Sequence, residues 1–150
     1  MFELSPELLL QIGLSVLYGG ALGLEREVRG RAAGLRTMIL VCMGSTLIMI
    51  VSGDLPAPFD NEASRAIIRV DPGRIAAGIV TGVGFLGAAV VIKLGDLIRG
   101  VTTAATIWLA AGVGIALGQR HYGLATLTVA TALVVLWLFA YGERAISRSV

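Results

Sequence analysis

The chain has 150 residues, 56 % of them hydrophobic and 15 % charged, and a formal charge of +2. That is too apolar for an ordinary soluble domain, and the charge is too small to argue for nucleic acid. A single cysteine, Cys42, excludes an intrachain disulfide, and the lone His121 lacks the neighbours that a zinc site needs.

The charges are gathered into islands separated by segments that carry none, at 8–24, 37–53, 75–92, 101–118 and 122–142. A span needs about 20 mostly apolar residues to cross roughly 30 Å of hydrocarbon. Five such segments leave a soluble fold no polar face, so the expected class is an all-α membrane protein, residues 1–150 forming one transmembrane domain. The first segment is flanked by Glu3 and Glu7 rather than by basic residues, which argues against a signal peptide.

Between the first two spans lies Glu25-Arg26-Glu27-Val28-Arg29-Gly30-Arg31-Ala32-Ala33-Gly34-Leu35-Arg36-Thr37, in which six of thirteen residues are charged. Such a cluster must sit at a membrane surface, where its charges stay wet. Arg29 and Arg31, with Arg144 and Arg148, read as snorkelling and topology control. Glu25, Arg26 and Arg36 read as a partly buried network, with Thr37 at the same depth. After the second span a long loop, 54–74, carries Pro56 and Pro58, and its later part, 63–70, has the pattern of a short interfacial helix. Asp71-Pro72 then reads as N-cap and first position of the third span, and Asp71 is also an outer-face candidate.

Within the third span, Gly82-Val83-Gly84-Phe85-Leu86-Gly87 matches a dinucleotide fingerprint by letter only, because that fingerprint needs a strand before it and water around it. Here the glycines serve helix packing. Gly19 with Gly23, Gly78 with Gly82, and Gly114 with Gly118 are GxxxG pairs, and Gly84 and Gly87 extend the set. Protomers are expected to associate through the glycine faces of spans one and three. A second charged turn, Ile98-Arg99-Gly100-Val101-Thr102-Thr103, echoes the first, with Lys93 just before it. Gly20-Ala21-Leu22-Gly23 and Gly84-Phe85-Leu86-Gly87 form one correspondence, and Gly34-Leu35-Arg36-Thr37 and Gly100-Val101-Thr102-Thr103 form another. Spans one–two and three–four then read as parallel repeats, which would bring Glu25, Arg26 and Arg36 near Arg99, Thr102 and Thr103. Arg36 or Arg99 is the expected neighbour of Glu25, and Glu27 is expected to be solvated. The fifth span looks peripheral, with Trp137 and Tyr141 as interfacial anchors.

Eight basic residues fall on the face bearing the two charged turns and the C-terminus, and four (Arg65, Arg69, Arg74, Arg120) on the other. The positive-inside rule therefore places the N-terminus outside and the C-terminus in the cytoplasm. No catalytic constellation, cofactor or metal site is expected, since Ser15, Ser45 and Ser52 have no base near them and no paired carboxylates lie mid-span.

Gly23-Leu24-Glu25-Arg26-Glu27, Arg29-Gly30 and Ala33-Gly34-Leu35-Arg36-Thr37 resemble the first motif of the MgtC/SapB membrane proteins. Asp71-Pro72, Arg74-Ile75-Ala76-Ala77, Gly82-Val83-Gly84-Phe85-Leu86-Gly87-Ala88, and Arg99-Gly100-Val101-Thr102-Thr103-Ala104-Ala105 with Trp108 resemble its later motifs in order. The likeness covers roughly residues 18–118. Met38 departs from a frequent histidine and Ala89 from a frequent glycine, and many members continue into a soluble C-terminal domain, so this chain resembles a short form. The resemblance implies a bacterial inner-membrane protein linked to growth at low magnesium and to virulence. It also implies a regulatory role exerted on another membrane complex, such as the proton-translocating ATP synthase. The other open reading is a small ion transporter or channel for magnesium or another cation. Expected partners are the bilayer, further copies of the chain and another membrane complex.

Overall fold

The computed structural model describes residues 5–53, 71–94 and 97–146, with the backbone alone for 94 and 139–146. Its elements are α1 (Pro6–Val28), α2 (Leu35–Gly53), α3 (Pro72–Ala89), a two-stranded ribbon of β1 (Ile92–Leu94) and β2 (Leu97–Arg99), α4 (Val101–Gly118) and α5 (Tyr122–Ile146). By length and composition α1 to α4 can each cross a membrane, and α5 carries a shorter apolar stretch, Tyr122–Leu138. The class is therefore the all-α membrane protein expected. The anticipated interfacial helix at 63–70 lies outside the described residues.

Local chemistry sets the helix ends. Ser5 Oγ accepts from Leu8 N at 3.2 Å and Pro6 opens α1, a side-chain cap followed by a residue that needs no donor. At the other end Gly30 turns left-handed (φ 63°), Gly30 N donates to Glu27 O at 2.9 Å and Arg31 N to Arg26 O at 3.0 Å. This Schellman closure satisfies carbonyls that would otherwise be orphaned. Asp71 caps α3 as expected, its Oδ1 accepting from Gly73 N at 2.9 Å.

The third span stops three residues short of its expected end. Helix α3 finishes at Ala89, and Ile92 pairs with Arg99, Lys93 with Ile98 and Leu94 with Leu97 in antiparallel register. The β-branched run Val90-Val91-Ile92 loses side-chain freedom in a helix and fits a strand. Gly95-Asp96 between Ile92-Lys93-Leu94 and Leu97-Ile98-Arg99 is a two-residue hairpin signature. Gly100 then enters α4 at φ 90°, and a Cβ there would strike the Val90 carbonyl.

Helix α2 packs most extensively on α1 and α4, and α4 also meets α1, α3 and α5. The α1–α2 seam is antiparallel and close: a Cβ at Gly19 would lie 2.7 Å from Met38 O, and one at Gly23 would lie 2.6 Å from Leu35 Cα. On α4, a Cβ at Gly114 would strike the Cys42 carbonyl, and one at Gly118 would lie 2.9 Å from Thr46 O. Two of the three GxxxG pairs thus seat α1 and α4 on the backbone of α2, where small residues permit close approach. Thr46 Oγ1 ties the second seam by donating to Gly114 O at 3.0 Å as well as to Cys42 O at 2.9 Å. Leu22, Met38, Cys42, Ile107, Val113 and Leu117 are fully enclosed around these seams.

One expectation about packing is corrected. The Gly19–Gly23 face is consumed inside the chain and is not free for another protomer. A Cβ at Gly78, Gly82 or Gly84 would meet nothing within 4 Å, so these three glycines pack no described neighbour. Gly87 does face α4, but with ordinary room, 3.6 Å from Ala104 Cβ. The α3–α4 hairpin is therefore looser than the α1–α2 hairpin at the position that matches Gly23.

Candidate functional site

The charged turn after α1 and the ribbon before α4 lie at one end of the bundle. Arg26, on the last turn of α1, is only 3 % exposed, and its Nη2 donates to Thr103 Oγ1 at 2.8 Å on the first turn of α4. The contact spans two helices 77 residues apart in sequence. Glu25 lies beside it, with Oε2 3.7 Å from Arg26 Nη1 and Oε1 in an i,i+4 ion pair with Arg29 Nε. Both Glu25 oxygens and Arg26 Nε are buried without an aligned hydrogen bond. Charge holds Glu25 to the two arginines, while the directed bond to Thr103 fixes Arg26. Removing one member of such a buried pair leaves an uncompensated charge, which costs about 3–5 kcal/mol.

The structure brings together Glu25, Arg26 and Thr103, and adds Arg29, which by sequence alone reads as topology control. It does not bring Arg36 or Arg99 to Glu25. Arg36, Thr37, Arg99 and Thr102 are all exposed. Arg36 stands on the outward side of the first turn of α2, and the ribbon that sequence reasoning had not foreseen carries Arg99 opposite Ile92. Thr102 points to the groove between α4 and α5, beside Thr106, Trp108 and Thr131.

Glu27 is exposed but is not free in solvent. Its Oε2 accepts from Leu35 N at 2.7 Å and so caps α2, as a carboxylate at a helix N-terminus favours. A Cβ at Gly34 would lie 3.1 Å from Glu27 Cδ, so glycine at 34 makes room for this cap. The spacing from Glu27 to Leu35 exceeds any local capping pattern, which is why the role was not readable.

A second polar group, whose partners the sequence does not disclose, closes the opposite end. Gln11, 4 % exposed, donates from Nε2 to Leu117 O at 2.9 Å and to Gly118 O at 3.2 Å. Arg120 takes the left-handed position (φ 64°) of a Schellman turn, with His121 N on Ala116 O at 2.8 Å, and its Nε pairs with Glu7 Oε1 at 2.9 Å. Tyr122 Oη donates to the same oxygen at 3.4 Å. Gln11, Gly53, Pro72, Gly118, Gln119 and Arg120 border a polar recess of about 300 Å³ at this end. Among the described residues no three His, Cys, Asp or Glu side chains are grouped as a metal site.

Apolar helices seated on one another by glycine seams, with ion pairs confined to their ends, define a multi-pass helical membrane protein. The chain belongs to the MgtC family, whose profile matches residues 12–145. Its relatives include "Putative magnesium transporter YhiD" of Escherichia coli K12, 41 % identical over 91 % of this chain and 62 % of that protein. Protein SapB of Bacillus subtilis is 41 % identical over 79 % of this chain and 50 % of its own length. Protein MgtC of Salmonella typhimurium LT2 is 40 % identical over 85 % of this chain and 52 % of its own length. The chain thus spans less than two thirds of these curated relatives. No solved structure matches it.

Proposed function

We propose that the chain is a regulatory protein of the bacterial inner membrane, active in adaptation to low magnesium, that binds another membrane complex through its charged end. The observation that carries this reading is Arg26, fixed at 3 % exposure on Thr103 beside Glu25 and Arg29. Around this rigid core Arg31, Arg36, Lys93 and Arg99 stand exposed. A buried centre with an exposed cationic rim suits recognition of an acidic protein surface, since rim charges steer association and a buried centre sets the register. The basic excess at this end favours the cytoplasm as its location. The ATP synthase is a candidate partner through the family resemblance, as is a role in virulence.

Three of the buried hydroxyls within the bundle also favour regulation over conduction. Ser15 donates to Ile12 O at 2.7 Å, Thr46 to two carbonyls, and Thr106 to Thr102 O at 2.7 Å. These groups are occupied by the chain's own backbone, whereas a cation path needs acidic groups or free carbonyls at depth.

Transport of magnesium or another cation is the second reading. The name of the Escherichia coli relative supports it, as does the polar recess beside Gln11 and Gly118 at the end opposite the charged turns. Reconstitution in liposomes, with magnesium flux and membrane potential followed together, separates the two. The regulatory reading expects no flux above that of protein-free liposomes. Saturable flux abolished by Gln11→Leu supports the transporter.

A further inference from the structure

Helix α3 differs from the other spans in what it shows to the outside. Only 17 % of the helix is buried, against 44 % for α4. Its outward residues are chiefly small, Ala77, Gly78, Thr81, Gly82 and Gly84, all exposed. The outward face of α5 instead presents Leu124, Leu127, Val134 and Leu138, each about 60 % exposed, as a lipid-facing surface does. Small residues on a span gain little from lipid but allow a second helix to approach closely. Within this chain the other two GxxxG pairs are already seated on α2, so the device recurs and one instance of it is left open.

Two independent observations say what the open face receives. Alongside α3 runs a groove shared with α2 and bordered by Gly44, Ser45, Arg74, Gly78, Gly82 and Leu86. Ser45 is 4 % exposed, yet its hydroxyl makes no hydrogen bond among the described residues. Its neighbour Thr46 spends its own hydroxyl on a carbonyl of the helix seated across that seam, Gly114 O. Ser45 offers the same donor to a helix backbone lying in the groove. The second observation is charge. Asp71, Arg74, Gly78, Thr81, Gly82 and Phe85 fall on one stripe at spacings of three and four. One Asp71 oxygen is used by the cap, and Arg74 has no ion pair among the described residues. Acid and base one turn apart are self-complementary about a two-fold axis along the membrane normal, because Asp71 of each copy then lies one helical turn from Arg74 of the other, within reach of the long arginine side chain.

We infer that two copies of this chain pair through α3, the α3 of each lying in the α2–α3 groove of the other. The helices cross at Gly78 and Gly82. Ser45 donates to a carbonyl of the incoming helix, Asp71 of one copy meets Arg74 of the other, and the two Phe85 rings, 77 % exposed in the single chain, cover each other below the crossing. The interface does not rest on the regulatory reading, and its test reads physical contact alone.

The test uses the full chain in native membranes with Cys42→Ser, so that introduced thiols are the only ones. Thr81→Cys is expected to crosslink between copies under mild oxidation, and Leu127→Cys on α5 is not. Gly78→Leu with Gly82→Leu should abolish the Thr81→Cys crosslink at an unchanged membrane level, since a Cβ at either position meets nothing within 4 Å inside one chain. Ser45→Ala should lower the crosslinked fraction about threefold, the size of one interhelical hydrogen bond. Asp71→Arg and Arg74→Asp should each lower it, and the double exchange should restore it relative to Asp71→Arg, with which it shares the lost cap. Equal crosslinking at Leu127→Cys, no rescue by the exchange, or a monomer whose groove retains a phospholipid lost on filling Gly78 and Gly82 would each overturn the pairing.

Discussion

At the scale of single residues, the working unit is Arg26 with its acceptor. Thr103→Val keeps the shape but removes the oxygen to which Arg26 Nη2 donates at 2.8 Å. A buried donor left without a partner costs about 1–3 kcal/mol, more when it is charged. The expected outcome is a lower thermal midpoint in detergent for Thr103→Val, with Thr103→Ser near wild type. Equal midpoints for the two variants would mean that Arg26 finds another acceptor. Glu27 gives a separate prediction. Its carboxylate caps α2 through Leu35 N, so Glu27→Ala should lose about 1 kcal/mol while Glu27→Gln, which keeps an acceptor oxygen, loses less. Denaturant titration followed by tryptophan fluorescence reads both. The charged residues of the first turn announced an ion cluster from sequence, but not who pairs with whom. Glu25 and Arg29 are one helical turn apart and needed only the helix to extend to Val28. The span drawn from hydropathy stopped at 24, which left Arg29 in a loop and made Arg36 look nearer.

At the scale of elements, glycine spacing was legible and its partners were not. Three GxxxG pairs look alike in sequence, yet two are buried in seams against α2 and one is open. The difference lies in the neighbouring helix, which no local pattern encodes. Substitutions should divide accordingly. Gly114→Ala drives a methyl into the Cys42 carbonyl and should lower stability by several kcal/mol or prevent assembly of α4 on α2, in line with overpacking and backbone displacement. Gly123→Ala, which faces open space at the start of α5, should be silent. Membrane yield and midpoint measured for both decide the matter, and equal tolerance would show that the α2–α4 seam has slack. The ribbon is the element that hydropathy concealed. Apolar residues run through Val91-Ile92 without a break, and only the Gly95-Asp96 pair and the β-branched run signal the change in the sequence.

At the scale of the whole molecule, composition alone was enough for the class, because apolar content and clustered charge leave no soluble alternative. Orientation rests on the eight-to-four division of basic residues. Single cysteines in a Cys42→Ser background test it: one at Arg31 is expected to react with an impermeant maleimide only after the membrane is opened, and one at Gln119 in intact spheroplasts. The reverse pattern would invert the topology and move the charged end away from the cytoplasm.

The central claim is that the Glu25–Arg26–Arg29–Thr103 cluster carries function and is not merely a positive-inside signal. Growth complementation at limiting magnesium, in a bacterium lacking its own family member and with membrane levels matched, tests this most directly. Arg26→Gln and Arg36→Gln each remove one basic residue from the same end, so their effects on topology are alike. Only Arg26 is buried on Thr103. The account predicts that Arg26→Gln and Glu25→Gln lose most of the growth and that Arg36→Gln keeps it. Equal growth of Arg26→Gln and Arg36→Gln would contradict it and return the cluster to topology control.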